Sequence, residues 1–151
     1  MEVYRLFHGT NDPLDGTGAA IYGARWNPVG HAVVYAAWTF EGALLEKLVH
    51  SNIGHPPPNV RAAEISIPDD IQVPILDVGT VTDWQRETNS QAIGKQWLKE
   101  AAAVALVVPS LVARPWGRNV LINPAHPDFA RVTVVAVVDV VWDPRLVFAA
   151  T

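Results

Sequence analysis

Residues 23–50, GARWNPVGHAVVYAAWTFEGALLEKLVH, contain the signals of a loop, a strand and a helix in immediate succession. Glycine and proline punctuate the first third, which predicts a loop. The apolar run AVVYA at 32–36 predicts a short buried strand. Thr39 is a preferred helix-capping residue and Glu41 follows in the first turn, so we predict a helix from there to about residue 51. The apolar face of this helix is formed by Leu44, Leu45, Leu48 and Val49.

The loop part of this stretch contains two side chains that loops seldom carry, Arg25 and Trp26. A surface loop gains little by exposing a tryptophan, because so large an apolar side chain is stabilised by burial. We therefore predict that Trp26 is buried and that it holds the neighbouring Arg25 in place.

The rest of the chain contains more strand patterns than helix patterns. Strands are predicted at 2–7, 60–67, 73–78, 104–108, 119–122 and 131–141, and a second helix is predicted to start with Ser90 as its N-cap. Residues 9–31 are predicted to form one long loop. Because the strands outnumber the helices and do not alternate regularly with them, we expect a single α+β domain over residues 1–151 with a mixed or antiparallel sheet.

The composition restricts the class of protein. The chain has 151 residues, of which 50% are hydrophobic and 17% charged, with a net charge of −4 and no cysteine. The acidic balance argues against direct binding of nucleic acid. The N-terminus does not resemble a signal peptide, and no apolar run approaches the roughly 20 residues of a membrane helix. We therefore expect a cytoplasmic protein without a membrane segment.

Common catalytic motifs are absent from the sequence. The five histidines form no HxH or HExxH pair, and cysteine ligands are lacking, so no metal site is predicted. The sequence also lacks a P-loop, a complete dinucleotide-binding glycine motif and a GxSxG nucleophile motif. Most of the familiar enzyme classes are thereby disfavoured.

A few polar residues in apolar surroundings remain as candidates, and each also has an ordinary structural interpretation. Arg5 lies within the first predicted strand and would face solvent, whereas Tyr35 would be a core residue with its hydroxyl at the rim. Glu46 lies away from the apolar face of its helix, as a solvated carboxylate would. Ser110 would cap a turn. Only Arg25, next to Trp26, has a weak structural explanation.

The order and spacing of these residues resemble a known family. The segments RLFHGT, GARWNPVGHAVVYAAWTFEGALLEKLVH, VPSL and RNVLINPAHPDF are similar to the RES-domain family from about residue 3 to residue 139. The arginine, glutamate and serine of the family's motifs correspond to Arg25, Glu46 and Ser110.

The resemblance implies a fold similar to that of ADP-ribosylating toxins and a toxin of a bacterial type II toxin–antitoxin pair. Such a toxin consumes NAD⁺ as its substrate and uses no further cofactor, splitting the bond between nicotinamide and ribose by hydrolysis or phosphorolysis. Arg25, Tyr35 and Glu46 would be catalytic. The substrate-binding residues would be Arg5, Ser110 and Asn119. The implied partner is an antitoxin with an Xre-like DNA-binding domain that occludes the active site, in a complex that allows a toxin homodimer.

This chemistry agrees with the residues available. The nicotinamide of NAD⁺ leaves as a neutral molecule, so its departure needs no general acid. The oxocarbenium-like transition state needs one fixed negative charge near the ribose, which Glu46 can supply. Two other hypotheses stay open: an ADP-ribosyltransferase that transfers ADP-ribose to a protein, and a non-enzymatic binding module in which the same residues are structural.

Overall fold

The fold is built on one β-sheet. The computed structural model describes residues 1–52 and 54–147. Six strands form one sheet in the order β4-β5-β2-β1-β3-β6, and neighbouring strands in it pair antiparallel. The strands are β1 (Glu2–His8), β2 (Val34–Ala37), β3 (Val60–Ser66), β4 (Ala105–Pro109), β5 (Arg118–Ile122) and β6 (Thr133–Asp139). The predicted α+β class is confirmed, with the antiparallel form of the sheet.

Within the described residues, three helices flank the sheet. They are α1 (Thr17–Tyr22), α2 (Phe40–His50) and α3 (Glu87–Glu100), and two short 3-10 helices follow at Pro127–Arg131 and Pro144–Leu146. The predicted start of α2 is confirmed, because the Thr39 side chain accepts a hydrogen bond from the backbone N–H of Gly42. Bonding an otherwise unpaired N–H is the reason threonine favours this position.

The two faces of the sheet carry two separate apolar clusters. Side chains alternate between the faces along each strand, so neighbouring residues belong to different clusters. On β4, for example, Val107 belongs to the first cluster and Val108 to the second. The second cluster contains Trp26, which is only 1% exposed and stacks on Trp84 with ring centroids 6.1 Å apart. The prediction that Trp26 is buried is confirmed.

Three local predictions from the sequence were wrong. Residues 73–78 form no strand but only an isolated bridge between Ile75 and Val107, because Pro74 has no N–H to donate to a ladder. Ser90 does not cap α3, which begins at Glu87; its buried hydroxyl bonds to a carbonyl oxygen instead. The predicted loop 9–31 contains the short helix α1, which the surrounding glycines conceal from pattern analysis.

Gly94 of α3 is expected to tolerate no side chain. A Cβ at this position would overlap the carbonyl oxygen of Trp26, so either the helix or the loop would have to move. We expect Gly94→Ala to lower the free energy of unfolding by about 3 kcal/mol, the upper part of the usual range for overpacking. Denaturant unfolding measures this. Gly18→Ala is the matched control, because Gly18 also lies in a helix but a Cβ added there would meet nothing within 4 Å; equal losses in both variants would contradict the close contact.

Candidate active site

Three of the predicted site residues meet around one carboxylate. Glu46 projects from α2, Ser110 follows the end of β4, and Asn119 lies in β5. The Ser110 hydroxyl donates to Glu46 Oε1 at 2.8 Å, and the Asn119 side-chain amide donates to the same oxygen at 2.7 Å. The antiparallel pairing of β4 with β5 places Val108 opposite Asn119, which brings Ser110 and Asn119 to the same face of the sheet.

These contacts give Glu46 a defined orientation. Its side chain is 23% exposed, so it is neither a core residue nor the solvated carboxylate of the ordinary interpretation. Because both hydrogen bonds go to Oε1, the other oxygen, Oε2, remains available for a ligand. An ionisable neighbour of Oε2 is His50, whose Nδ1 lies 4.0 Å away and 2.7 Å from the Glu46 carbonyl oxygen. Sequence analysis did not identify His50, although its position four residues after Glu46 places it on the same helix face.

Ser110 connects this carboxylate to the following loop. The hydroxyl is buried and, besides donating to Glu46, accepts a hydrogen bond from the backbone N–H of Ala113 at 3.0 Å. The backbone N–H of Ser110 donates to the Gly117 carbonyl oxygen at 2.9 Å. Ser110 therefore fixes both the loop 111–117 and Glu46, rather than merely capping a turn.

An apolar cleft of about 530 Å³ lies beside the carboxylate. Ser110 and Asn119 form part of its wall, together with two exposed tryptophans and the charged residues Glu41 and Arg118. Trp116 is 87% exposed and Trp38 is 38% exposed. Flat aromatic walls of this kind suit a planar ring. Sequence analysis missed Trp116. The signal that identified Trp26 is a tryptophan between loop-forming residues, and the same signal is present in PWG at 115–117.

Arg25 is held between the sheet and α3. Its Nη1 donates to the Gln85 carbonyl oxygen at 2.9 Å, and its own carbonyl oxygen accepts from the Ser90 hydroxyl at 2.7 Å. These contacts come from Gln85 and Ser90, so the holding of Arg25 by Trp26 itself stays a prediction. Burial raises the pKa of Tyr35 well above its ordinary value, and this is partly opposed by the hydrogen bond from the Trp26 N–H and by the positive charge of Arg25.

Tyr35 bonds to the loop between α1 and β2, residues 23–33, which we call the Arg25 loop. Tyr35 pairs with Leu121 on β5, and Ala37, two residues later, pairs with Asn119. Residues two apart on a strand share a face, so Tyr35 and Asn119 are diagonal neighbours on one face of the sheet. Tyr35 therefore lies on the same face of the sheet as Asn119, although neither Tyr35 nor Arg25 is among the residues that line the cleft.

Arg5 lies apart from this group. Its Nη1 donates to the Pro13 carbonyl oxygen at 2.9 Å, and burial lowers its pKa despite the nearby carboxylates of Asp15 and Asp12. Along β1 it alternates with Tyr4 and shares a face with Val3, a member of the first cluster. Its charge also contributes, after burial, to lowering the pKa of Lys47, the residue after Glu46. A substrate-binding role for Arg5 stays a prediction, as do the roles of the other five residues.

Among the described residues, neither a metal-binding cluster nor a membrane-spanning helix is found. Across residues 1–52 and 54–147, no three or more histidine, cysteine, aspartate or glutamate side chains are grouped so that they could hold a metal ion. In the same part of the chain, no helix has both the length and the apolar character needed to cross a membrane.

The chain is similar to named toxins over most of its length. The chain is 38% identical over 142 residues to the "Prs ADP-ribosylating toxin" of Sphingobium sp. (strain YBL2), covering 90% of this chain and 88% of that protein. It is 35% identical to "Toxin Res" of Photorhabdus laumondii, covering 99% of both chains, and 36% identical to "Toxin Res" of Pseudomonas putida, covering 88% of this chain and 92% of that protein.

A solved structure shares the fold. The toxin–antitoxin complex MbcT-MbcA of M. tuberculosis contains a chain that superposes with a TM-score of 0.74 at 19% identity, covering 92% of this chain and 83% of that chain. Residues 2–143 match the RES domain, a span that includes all six predicted site residues. With full-length relatives above 30% identity as well, the chain belongs to the RES domain family.

Proposed function

We propose that this chain is the toxin of a bacterial toxin–antitoxin pair and that it cleaves NAD⁺ between nicotinamide and ribose. The observation that supports this most directly is the Glu46 carboxylate, held through Oε1 by two donors beside an open aromatic cleft. Relatives of similar length bear the names "Toxin Res" and "Prs ADP-ribosylating toxin", and both names fit a toxin that uses NAD⁺.

The proposed mechanism uses the charge of Glu46 rather than acid catalysis. As the bond to nicotinamide breaks, positive charge develops on the ribose, and Oε2 of Glu46 stabilises it or bonds the ribose hydroxyls. Ser110 and Asn119 keep the carboxylate in this orientation before substrate arrives, so little reorganisation is needed during the reaction. Nicotinamide leaves as a neutral molecule, and water or phosphate then completes the reaction at the ribose carbon.

Arg25 supplies the complementary positive charge in this proposal. A guanidinium donates through a planar fork that matches a pyrophosphate. The Ser90 hydroxyl holds the Arg25 carbonyl oxygen, and Nη1 bonds to the Gln85 carbonyl oxygen, which leaves the other guanidinium N–H groups for a pyrophosphate. In this proposal NAD⁺ lies with its pyrophosphate at Arg25 and with the ribose that carries nicotinamide at Glu46.

A second function keeps the same site but transfers ADP-ribose to a protein. The name of the Sphingobium relative and the open cleft with its exposed Trp116 favour this candidate. Incubating the purified chain with NAD⁺ labelled in its adenine half, with and without phosphate, separates the two. Free ADP-ribose or its 1-phosphate, identified by mass, supports cleavage; label retained on added protein supports transfer; intact NAD⁺ contradicts both and favours the binding module.

The proposed partner is an antitoxin with an Xre-like DNA-binding domain that covers this cleft. The net charge of −4 leaves DNA contact to another subunit. A solved relative in fold was obtained as a toxin–antitoxin complex, which is consistent with such a partner. Adding the antitoxin to the purified chain is expected to suppress NAD⁺ cleavage; full activity in the complex would contradict occlusion of the cleft.

Substituting Arg25 by lysine is expected to weaken NAD⁺ binding. A lysine keeps the charge but loses the fork, so we expect the dissociation constant to rise about tenfold, or 1.4 kcal/mol. Calorimetric titration in a Glu46→Gln background measures binding without turnover. Arg145→Lys is the matched control, because Arg145 is exposed and pairs with Asp143. An unchanged dissociation constant for Arg25→Lys would remove Arg25 from the phosphate site.

A further inference from the structure

The hydroxyl of Tyr35 is already engaged within the protein. It donates to Asn27 Oδ1 at 2.6 Å and accepts from the Trp26 backbone N–H at 3.1 Å. A phenol has a single proton, so this hydroxyl cannot donate to a ligand while its bond to Asn27 is intact. Its ring packs against the second apolar cluster. Tyr35 therefore packs with the second apolar cluster and bonds to the Arg25 loop.

Asn27 extends this contact to α1 and to the later part of the loop. The side chain is completely buried, and its Nδ2 donates to the carbonyl oxygens of Ala19 and His31, both at 2.9 Å. Buried amides are normally satisfied in this way, and removal of one partner leaves the other without compensation. Through Asn27, the Tyr35 hydroxyl is consequently linked to α1 at Ala19 and to the later part of the loop at His31.

Helix α3 holds the same loop from the opposite side. Ser90 donates to the Arg25 carbonyl oxygen at 2.7 Å, and Gln91 Nε2 donates to the Ala24 carbonyl oxygen at 3.0 Å. The lack of a side chain at Gly94 lets the Trp26 carbonyl approach the helix. Residues 24–27 are thus bound on one side by Tyr35 and on the other by α3, and the Arg25 guanidinium bonds through Nη1 to the Gln85 carbonyl oxygen, two residues before α3.

We propose that Tyr35 and Ser90 are positioning residues that act through Arg25, holding its guanidinium for the pyrophosphate of NAD⁺, and that Tyr35 does not bind the nicotinamide end. This inference rests on the proposed function and replaces the catalytic role that the family resemblance implied for Tyr35. Ser90 is fully buried, so it cannot meet substrate and acts only through the loop.

If Tyr35 and Ser90 act through Arg25, their loss should weaken binding of the ADP-ribose half of NAD⁺. A guanidinium fork binds well only when its orientation is set beforehand, because a loose fork loses conformational freedom on binding. Loosening the loop should therefore weaken ligands that contain the pyrophosphate and leave nicotinamide binding unchanged. A direct contact of Tyr35 with nicotinamide would produce the opposite pattern.

The experiment measures the two halves of NAD⁺ separately. ADP-ribose binding is followed by calorimetry and nicotinamide binding by ligand-observed NMR, for the parent chain, Tyr35→Phe and Ser90→Ala. We expect the dissociation constant of ADP-ribose to rise about three- to tenfold in both variants, the range of one lost hydrogen bond, and that of nicotinamide to stay constant. Ser66→Ala is the matched control, because its hydroxyl bonds to exposed Glu2 on the opposite part of the sheet.

Coupling to Arg25 is tested in the double variants. In an Arg25→Lys background, Tyr35→Phe is expected to add little, since both changes act on the same contact. The proposal would be overturned if the effects of Tyr35→Phe and Arg25→Lys on the dissociation constant were fully additive. It would also be overturned if Tyr35→Phe or Ser90→Ala bound ADP-ribose as the parent chain does, or if either variant lost only nicotinamide binding. Thermal unfolding identifies any variant that fails to fold, and Ser90→Ala tests the same loop independently of Tyr35.

A ligand-free measurement separates this inference from the proposed function. The Trp26 N–H bonds to the Tyr35 hydroxyl, so its amide hydrogen should exchange at least about threefold faster in Tyr35→Phe. If the parent chain binds neither ADP-ribose nor NAD⁺, the proposed function is wrong and the role of Tyr35 toward pyrophosphate falls with it. In that case, faster exchange of the Trp26 amide would still support the claim that Tyr35 holds the loop. Unchanged exchange would overturn that claim as well.

Discussion

NAD⁺ turnover is expected to fall by about 10²- to 10³-fold in Glu46→Gln, the usual loss when one preorganised electrostatic group is removed. The fold should persist, because glutamine is nearly isosteric and its Oε1 can accept the same hydrogen bonds from Ser110 and Asn119. What is lost is the negative charge of the carboxylate. Nicotinamide release at saturating NAD⁺ measures the rate, and thermal unfolding checks the fold.

The matched control for this prediction is Glu100→Gln. Glu100 is an exposed glutamate at the end of α3 that accepts a hydrogen bond from Gln96, so its substitution removes the same charge from the chain at another place. We expect parent activity in this control. Parent-rate turnover by Glu46→Gln itself would contradict the proposed mechanism, whatever the cleft binds.

Expression of this chain alone in bacteria is expected to lower cellular NAD⁺ and to arrest growth. An uncontrolled enzyme that consumes NAD⁺ deprives the cell of a cofactor needed throughout metabolism. Co-expression of the antitoxin should restore both NAD⁺ and growth, because the proposed partner covers the cleft beside Glu46. Growth curves with NAD⁺ measured in cell extracts provide the test.

Glu46→Gln again serves as the comparison in the cell. This variant should be harmless without the antitoxin, at the same protein level as the parent chain. Growth arrest with normal NAD⁺, or equal toxicity of Glu46→Gln, would assign the toxicity to another activity. Transfer of ADP-ribose to a protein without NAD⁺ depletion would support the second candidate function.

Local signals in the sequence were sufficient for much of the secondary structure. Thr39 marked the start of α2 correctly, because capping depends on a side chain and a backbone N–H only three residues apart. Trp26 was correctly placed in the core, since burial of a large apolar surface is favourable in almost any fold. By contrast, the run at 73–78 had the composition of a strand, but Pro74 prevents a continuous ladder.

Local sequence signals predicted the candidate site only in part. The residues were selected through a family resemblance, whereas their contacts depend on positions 64 and 73 residues apart in the chain. Ser90 illustrates the difficulty. A serine near a helix start suggests a cap, yet its hydroxyl meets the carbonyl of Arg25, 65 residues earlier.

The sequence by itself determined the α+β class, the position of α2, the burial of Trp26 and membership of a family, because these follow from local chemistry and from the order of residues. Only the tertiary structure decided that Glu46 is held by Ser110 and Asn119, and that the Tyr35 hydroxyl faces the Arg25 loop. The physical reason is that hydrogen bonds between distant segments depend on strand order, register and helix packing. Those are set by the burial of the whole core rather than by any one stretch of the chain.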